Sequence, residues 1–350
     1  MSGAAGVPLR VVLTGSEGYL GPLVAERLLE DGHWVQGIDT GFYADTWLGR
    51  GPRRRPAVLR ADVRDLDVDD LRGADAVVHL AELSNDPLGQ MARDVTEEIN
   101  HQGTVRLAEL ARKADVPRFV HMSSCSVYGV AADDVVDETS PTNPQTAYAE
   151  CKLAVENDVG AMADDVFAPT FLRNATAYGM SPRLRVDLVV NNLVAVAHTR
   201  GVIAMTSDGT PWRPLVHGAD IARAIGAVLT QPLDRVRGEV VNVGSDADNH
   251  RVRDIAEAVA EAYPGCEVTF GDLGGDTRSY RVSFAKLGRL LPGFACEWDI
   301  RRGIAELRDA FTAVGFDETA FGSRHFTRLA QIEHLRATGQ LDDDLRWTTT

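Results

Sequence analysis

Short apolar runs rich in β-branched residues alternate, over the first half of the chain, with longer stretches whose apolar positions recur at helical spacing. Leu9-Arg10-Val11-Val12-Leu13 reads as a buried strand, and a helical pattern through Val24, Leu28 and Leu29 follows it, closed by Gly32. Further strands are expected at Trp34 to Ile38, Ala57 to Ala61, Ala76 to Ala81, Phe119 to Met122 and Ala168 to Asn174. A long helix is expected from Val95 to Lys113, and another helical pattern opens at Ala147. Strands alternating with helices in this way predict an α/β fold, a doubly wound parallel sheet joined by right-handed crossovers. From about Ser181 the pattern loosens. Helices are expected from Val186 to Thr199, Asp220 to Leu229, Val252 to Ala262, Ile304 to Val314 and Phe326 to Thr338, with a short apolar run from Ile203 to Thr206 and a strand from Glu239 to Gly244.

The chain has 350 residues, 44% apolar and 25% charged, ordinary proportions for a globular protein with a sizeable core. A formal net charge of −15 argues against nucleic acid or an anionic membrane as the main partner. An anionic substrate would then need positive charge concentrated locally. No run reaches the roughly 18 apolar residues of a membrane span. Met1 to Pro8 lacks the basic and apolar segments of a signal peptide, so a cytoplasmic location is expected. Cys125, Cys151, Cys266 and Cys296 show no paired or metal-ligand spacing; free thiols are expected, and no metal.

Chemistry concentrates in two stretches. The first strand runs into Thr14-Gly15-Ser16-Glu17-Gly18-Tyr19-Leu20-Gly21. Glycines at i, i+3 and i+6 between a strand and a helix suit a dinucleotide. Gly15 allows the tight turn, Gly18 lets backbone approach a pyrophosphate, Gly21 lets helix pack close to strand, and the helix N-terminus faces the phosphates. Asp39, ending the next strand, would accept hydrogen bonds from the adenosine ribose diol and repel a 2′-phosphate, favouring NAD over NADP. The basic cluster Arg50, Arg53, Arg54 and Arg55 reads as a solvated loop, although it could serve such a phosphate. A carboxylate in Asp62-Val63-Arg64-Asp65 could reach the adenine amino group. In the second stretch, Tyr148 and Lys152 stand at i and i+4 of a helix, phenol and ammonium on one face. The ammonium favours phenolate and so lowers the tyrosine pKa toward working pH. Ser123 and Ser124 end the adjacent strand, where a hydroxyl could bond the same substrate oxygen.

These motifs carry a resemblance. With Thr14-Gly15-x-x-Gly18-x-x-Gly21, Asp39, Asp62, His79-Leu80-Ala81, Asn100, Ser123-Ser124-x-x-Val127-Tyr128-Gly129, Tyr148-x-x-x-Lys152 and Leu172-Arg173-x-x-x-x-Tyr178-Gly179 in order over roughly residues 9 to 290, the chain resembles an extended short-chain dehydrogenase/reductase. It is similar to the NAD-dependent nucleotide-sugar epimerase/dehydratase group, of the UDP-glucose 4-epimerase type. The resemblance implies a Rossmann-type domain from residues 9–180 plus about 215–245. A smaller, discontinuous α/β substrate domain would come from about 181–214 plus 246–350. Tyr148 would be the catalytic acid/base, Lys152 would tune it and bind the nicotinamide ribose, and Ser124 would occupy the catalytic Ser/Thr position. NAD would contact Gly15, Glu17, Gly18, Tyr19, Leu20, Gly21, Asp39, Asp62, Val63, Leu80, Ala81, Glu82, Asn100 and Ser123, together with Tyr148 and Lys152. A nucleotide-diphosphate sugar would meet Ser124, Cys125, Ser126, Asn174, Arg213 and Arg278. Guanidinium forks suit its phosphates, and Asn174 would bond the diphosphate or a sugar hydroxyl. His79, His121 and His217 read as structural. The resemblance also implies a homodimer through helices around 95–113 and 146–164, to which Val105, Leu107, Leu110, Leu153, Val155 and Val159 could contribute.

Two departures from the family pattern narrow the chemistry. The 4,6-dehydratases of the family carry an Asp-Glu pair after the catalytic Thr, where this chain has Cys125 and Ser126, which cannot supply that acid and base. Glu82 stands where a small residue is usual, either touching substrate, acting as an extra acid/base or facing solvent. The expected activity is a nucleotide-sugar epimerase working through a transient 4-keto sugar with held NAD. A keto-sugar reductase or dehydrogenase with exchanging NAD(P)H is the alternative, followed by a cofactor-binding scaffold or sensor without turnover.

Overall fold

The apolar runs become strands in the computed structural model of the chain, which describes residues 7–49, 51–52, 54–84, 92–130, 135–205, 207–271 and 278–348. In chain order the strands are β1 Arg10–Thr14, β2 Trp34–Asp39, β3 Ala57–Arg60, β4 Ala76–His79, β5 Arg118–Ser124, β6 Ala168–Asn174, β7 Thr176–Tyr178, β8 Val202–Ala204, β9 Trp212–His217, β10 Glu239–Val243, β11 Asn249–Arg251 and β12 Glu267–Thr269. The main sheet has seven strands in the order β10-β6-β5-β4-β1-β2-β3, each neighbouring pair parallel. The order reverses at β1, which pairs with both β2 and β4. A crevice opens there beyond the carboxyl ends of the strands, the usual ligand position in such sheets. Register then places the chemistry: Thr14 faces His79, His79 faces His121, and Ser124 faces Asn174.

Both faces of the sheet are covered, which explains its near-continuous apolar strands. Helices Gly21–Glu30 and Gly218–Leu229 bury Val24, Leu28, Ile221, Ile225 and Val228 on one face. Helices Gly103–Lys113 and Ala147–Gly160 bury Leu107, Leu110, Val155 and Val159 on the other. These last four positions, expected to contribute to a subunit interface, thus lie in the chain's own core, with Val105 packed against it; Leu153 is half-buried against the core on the opposite face.

The predicted helix from Val95 to Lys113 is three pieces: Arg93–Glu97, a π-helical turn Glu98–Gln102, and Gly103–Lys113. Inserted π turns mark functional sites in many proteins. Here the turn carries Asn100, whose amide accepts from Leu83 N at 2.8 Å and donates to Leu83 O at 3.0 Å, tying down the loop after β4.

A second core gathers helices Val189–Arg200, Val252–Ala262 and Ile300–Val314 around Leu193, Val259, Ile304, Leu307 and Phe311. Beside it lie a sheet β11-β9-β7 and the parallel pair β12-β8. The C-terminal helix Arg328–Ala337 and the residues after it do something else. Ile332, Leu335, Leu341 and Leu345 pack with Phe42, Leu83, Val95 and Ile99, which belong to the half of the chain that carries the seven-stranded sheet.

Candidate active site

A cavity of about 520 Å³ lies where the carboxyl ends of β1, β4, β5 and β6 meet the second core. At one end the glycine loop forms its wall. Gly15 has φ +69°, and a Cβ there would lie 2.6 Å from the Leu80 carbonyl carbon, so no side chain fits. Gly18 differs: apart from the Gly15 carbonyl oxygen at 3.2 Å, a Cβ there would meet nothing, which leaves open backbone facing the cavity. Asp39 is buried and accepts from Glu17 N at 2.9 Å and Gly41 N at 2.7 Å. Burial pushes its carboxyl above the ordinary range against those two bonds. Asp62 lines the cavity with its carboxylate gripped by Arg64, Nε at 3.0 Å and Nη2 at 2.8 Å. Burial pushes that carboxyl up, but the bonds from Arg64 outweigh it and hold the group below the usual range.

At the other end, Thr146 caps the helix Ala147–Gly160, its hydroxyl accepting from Ala149 N at 3.3 Å. Tyr148 and Lys152 both line the cavity, with the Lys152 Nζ 5.3 Å from the Tyr148 ring centroid. Lys152 donates to Met122 O and forms an ion pair with Glu82. Burial opposes each charge and the partner favours it: for Lys152 the carboxylate prevails and its ammonium is held above the ordinary lysine range, while for Glu82 burial prevails over the ammonium and pushes its carboxyl above the ordinary range. Ser124 accepts through Oγ from Ser126 N at 3.1 Å, so its O–H proton remains to donate elsewhere. Asn174 donates through Nδ2 to Ser123 O at 3.2 Å and Leu172 O at 3.0 Å. Its Oδ1 is buried with no hydrogen-bond partner. Asn174 lines the cavity with its Nδ2 already bonded, so the group it has left is an acceptor, which suits a hydroxyl donor and not a diphosphate. Arg213, on β9, and Arg278 line the cavity together, Arg213 donating to Arg278 O.

Behind these groups lies a buried network. Ser123 Oγ donates to Glu156 at 2.5 Å, and Arg173 grips Glu156 through Nε at 2.9 Å and Nη2 at 2.6 Å. Arg173 also donates to Tyr128 OH at 3.1 Å. Satisfied on every side, such a network holds the strand end rigidly.

Residues 11–244 match the family described as NAD dependent epimerase/dehydratase. The chain belongs to this family. It is 29% identical over 273 residues to a UDP-glucose 4-epimerase of Streptomyces lividans, a match covering 71% of this chain and 80% of the relative. It is 28% identical over 310 residues to a dTDP-glucose 4,6-dehydratase of Streptomyces griseus, covering 84% and 92%. Among solved structures, MoeE5 in complex with UDP-glucuronic acid and NAD is similar with a TM-score of 0.75 and 28% identity, covering 87% of this chain and 99% of that one. The family is NAD-dependent, and the residues fit that cofactor. Backbone lies open at Gly18, the Asp39 carboxylate keeps lone pairs for a diol, and Leu80, Ala81 and Val63 supply apolar walls.

Against the residues expected for this epimerase/dehydratase site, the cavity is lined by Gly15, Gly18, Tyr19, Leu20, Gly21, Asp39, Asp62, Val63, Leu80, Ala81, Glu82, Ser123, Ser124, Ser126, Tyr148, Lys152, Asn174, Arg213 and Arg278. Three expected contacts fall outside it. Glu17 turns its carboxylate to Arg60 and Arg183, leaving its backbone N–H on Asp39. Asn100 spends its amide on Leu83. Cys125 points into the core, its thiol donating to Arg173 O at 3.2 Å. Arg50 and Arg53 lie outside the described residues, as do residues 275–277 before Arg278.

Of the three histidines, His79 bonds Thr14 at 2.7 Å and Thr104 at 2.8 Å, and His217 bonds Glu306 at 2.8 Å and stacks on Trp298. His121 instead sits 3.6 Å from Glu82 with neither ring nitrogen hydrogen-bonded. His79, Glu82 and His121 bring possible metal-ligand atoms within 4.8 Å of one another. Both nitrogens of His79 are committed to threonines, however, and Lys152 already occupies Glu82, so a cation has no ready seat.

Sequence reasoning missed Tyr43, Arg185, Asp187, Tyr280 and Arg328, all of which line the cavity. Arg185 bonds Asp187 at 2.8 Å and Ser84 Oγ at 3.0 Å. The run Ser181-Pro182-Arg183-Leu184-Arg185, two arginines close together where the strand-helix alternation ends, was the one available signal.

Proposed function

We propose that the protein is a nucleotide-sugar epimerase that uses held NAD and a transient 4-keto sugar. The observation that carries this reading is the meeting of Ser124, Tyr148 and Lys152 in one cavity with the glycine loop and with Arg213 and Arg278. When bound, NAD supplies reversible hydride transfer at a sugar carbon. The chain's residues do the rest. Tyr148, as phenolate, takes the proton from the sugar hydroxyl and returns it later. Ser124 donates its remaining O–H to the same oxygen, and Asn174 accepts from a neighbouring hydroxyl. Arg213 and Arg278 hold the diphosphate and keep the sugar in reach.

The relatives include 4,6-dehydratases, which need an acid and a base beside the sugar. Cys125 supports neither role. Its thiol faces Arg173 O, and burial pushes its pKa far above the working range. Ser126 carries no proton-transfer group of suitable pKa.

The test begins with mass spectrometry of native protein for bound NAD. Incubation with UDP, TDP, GDP and CDP sugars follows, with product analysis. An epimer formed without added cofactor supports the proposal. Stoichiometric consumption of NADH indicates the reductase, and loss of water from the sugar indicates the dehydratase. The variant Tyr148→Phe should keep NAD and lose turnover by several orders of magnitude; full activity would sink the assignment.

A further inference from the structure

We propose that Glu82 is a positioning residue for Lys152: its carboxylate anchors the ammonium beside the end of β4 and cancels most of that cation's pull on the Tyr148 phenol. The proposal rests on the reading of Tyr148 as the proton-transfer group, and it deepens that reading by naming what sets the group's working pH.

The geometry is specific. Glu82 follows β4 by three residues and lines the cavity, and the side chains of Glu82 and Lys152 are each only 3% exposed. A buried ion pair of this kind is weak evidence for stability, because removing two charges from water costs about as much as their attraction returns. Its presence inside a reaction cavity therefore asks for another account. Lys152 is close enough to Tyr148 to act on it, 5.3 Å from Nζ to the ring centroid. At such distances, away from bulk water, a single charge changes a neighbour's ionisation substantially.

The neighbours of Glu82 leave it as the main answer to that charge. From β4, His79 is bonded on both nitrogens and held neutral by burial, which lowers its pKa to about 3. From β5, His121 faces Glu82 at 3.6 Å and is likewise kept uncharged by burial and the Lys152 ammonium. From the helix Ala147–Gly160, the Cys151 thiol is pushed up to about 11, mainly by burial, and so carries no charge at neutral pH. Glu150 turns outward to Arg93, and Glu97 approaches from the helix Arg93–Glu97 and acts on Cys151. Among the described residues, a small residue at position 82 would leave Lys152 with the Met122 carbonyl and the Tyr148 ring, a dipole and a π face in place of a full opposite charge.

The test separates charge from turnover. Ionisation of Tyr148 is read as the ultraviolet phenolate signal of the folded, cofactor-loaded protein minus that of the Tyr148→Phe variant. Glu82→Gln should ionise Tyr148 at lower pH, raising the phenolate fraction on the rising limb on the order of tenfold. The acid limb of the kcat profile should move the same way with little change in KM. Glu82→Asp should stay near the wild type. A midpoint unchanged in Glu82→Gln, or moved to higher pH, overturns the proposal. Should Glu82→Gln fail to fold, the wild type decides. With the cofactor reduced, so that its nicotinamide is uncharged, a Tyr148 midpoint near that of a free phenol, about 10, supports cancellation. A midpoint two or more pH units lower, by the same reference, overturns it. A shifted titration with an active Tyr148→Phe variant would instead defeat the proton-transfer reading and leave Glu82's electrostatic role standing.

Discussion

The guanidinium of Arg328 lies over the ring of Tyr43, 4.0 Å from its centroid, and joins distant parts of the chain at the wall of the cavity. The same segment is laced down at several points. Gln331 donates to Phe42 O at 2.8 Å, Trp347 to Thr40 O at 2.8 Å, and Arg64 to Asp344 O at 3.0 Å. Arg328 is buried, and its Nη1 has no hydrogen-bond partner. Arg328 lines the cavity, and a guanidinium there suits a phosphate. Arg328→Ala should weaken NAD retention by about 1.5–3 kcal/mol, the range for a hydrogen bond to a charged group. Native mass spectrometry after extensive gel filtration checks it, and retention equal to the wild type would refute the contact.

Asp39 holds two backbone N–H groups and keeps lone pairs toward the cavity. Asp39→Ala should lower NAD affinity roughly 10- to 100-fold, matching about 1.5–3 kcal/mol for a charged acceptor. NADP should lose discrimination in the same variant, because the repelling carboxylate is gone. Calorimetric titration with both dinucleotides distinguishes the two effects.

Gly15 and Gly18 should respond differently to the same added methyl group. Gly15→Ala forces a side chain into positive φ and into the Leu80 carbonyl, and should destabilise the fold by about 1–3 kcal/mol. Gly18→Ala keeps negative φ and crowds only the Gly15 carbonyl oxygen, at 3.2 Å, so it should cost the fold less than Gly15→Ala while NAD binding falls. A Gly18→Ala protein with wild-type NAD affinity would show that the open backbone there is not the pyrophosphate seat.

His79 makes stability depend on pH. Burial lowers its pKa from 6.5 to about 3 in the folded chain. Between those values the unfolded chain binds a proton that the folded chain does not, so stability falls as pH falls. The loss between pH 6.5 and pH 5 is about 2 kcal/mol for one such histidine. His121, also depressed by burial, adds in the same direction. Urea unfolding of wild type and His79→Gln at both pH values checks the slope. The variant should be less stable at neutral pH yet less sensitive to acid, and equal slopes would exclude His79 as a source.

Much of the site was legible because its parts are local. The glycine spacing, the strand before it and Asp39 lie within one strand-helix-strand unit, and their backbone roles follow from steric rules that distant residues barely alter. Tyr148 and Lys152 share a helix face at i and i+4 whatever packs against it. Side-chain direction at strand ends was not local in this sense. Cys125 and Ser126 are adjacent, yet one thiol turns to Arg173 O while the other residue lines the cavity. Asn100 stands on a predicted helix, but only the π turn and the Leu83 backbone explain where its amide goes.

The amino-acid sequence by itself determined the alternation of strands and helices in the first half of the chain, the glycine turn and the tyrosine-lysine pair, since each depends on backbone sterics and hydrophobic period within a short segment. Tertiary structure alone decided that Glu82 meets Lys152, that Asn174 presents an acceptor, that Arg213 meets Arg278, and that Arg328 closes over Tyr43. Each of those depends on sheet order and register, which bring residues far apart in the chain within a few ångströms. Burial then makes their charges and polar atoms matter, because away from bulk water they are screened less.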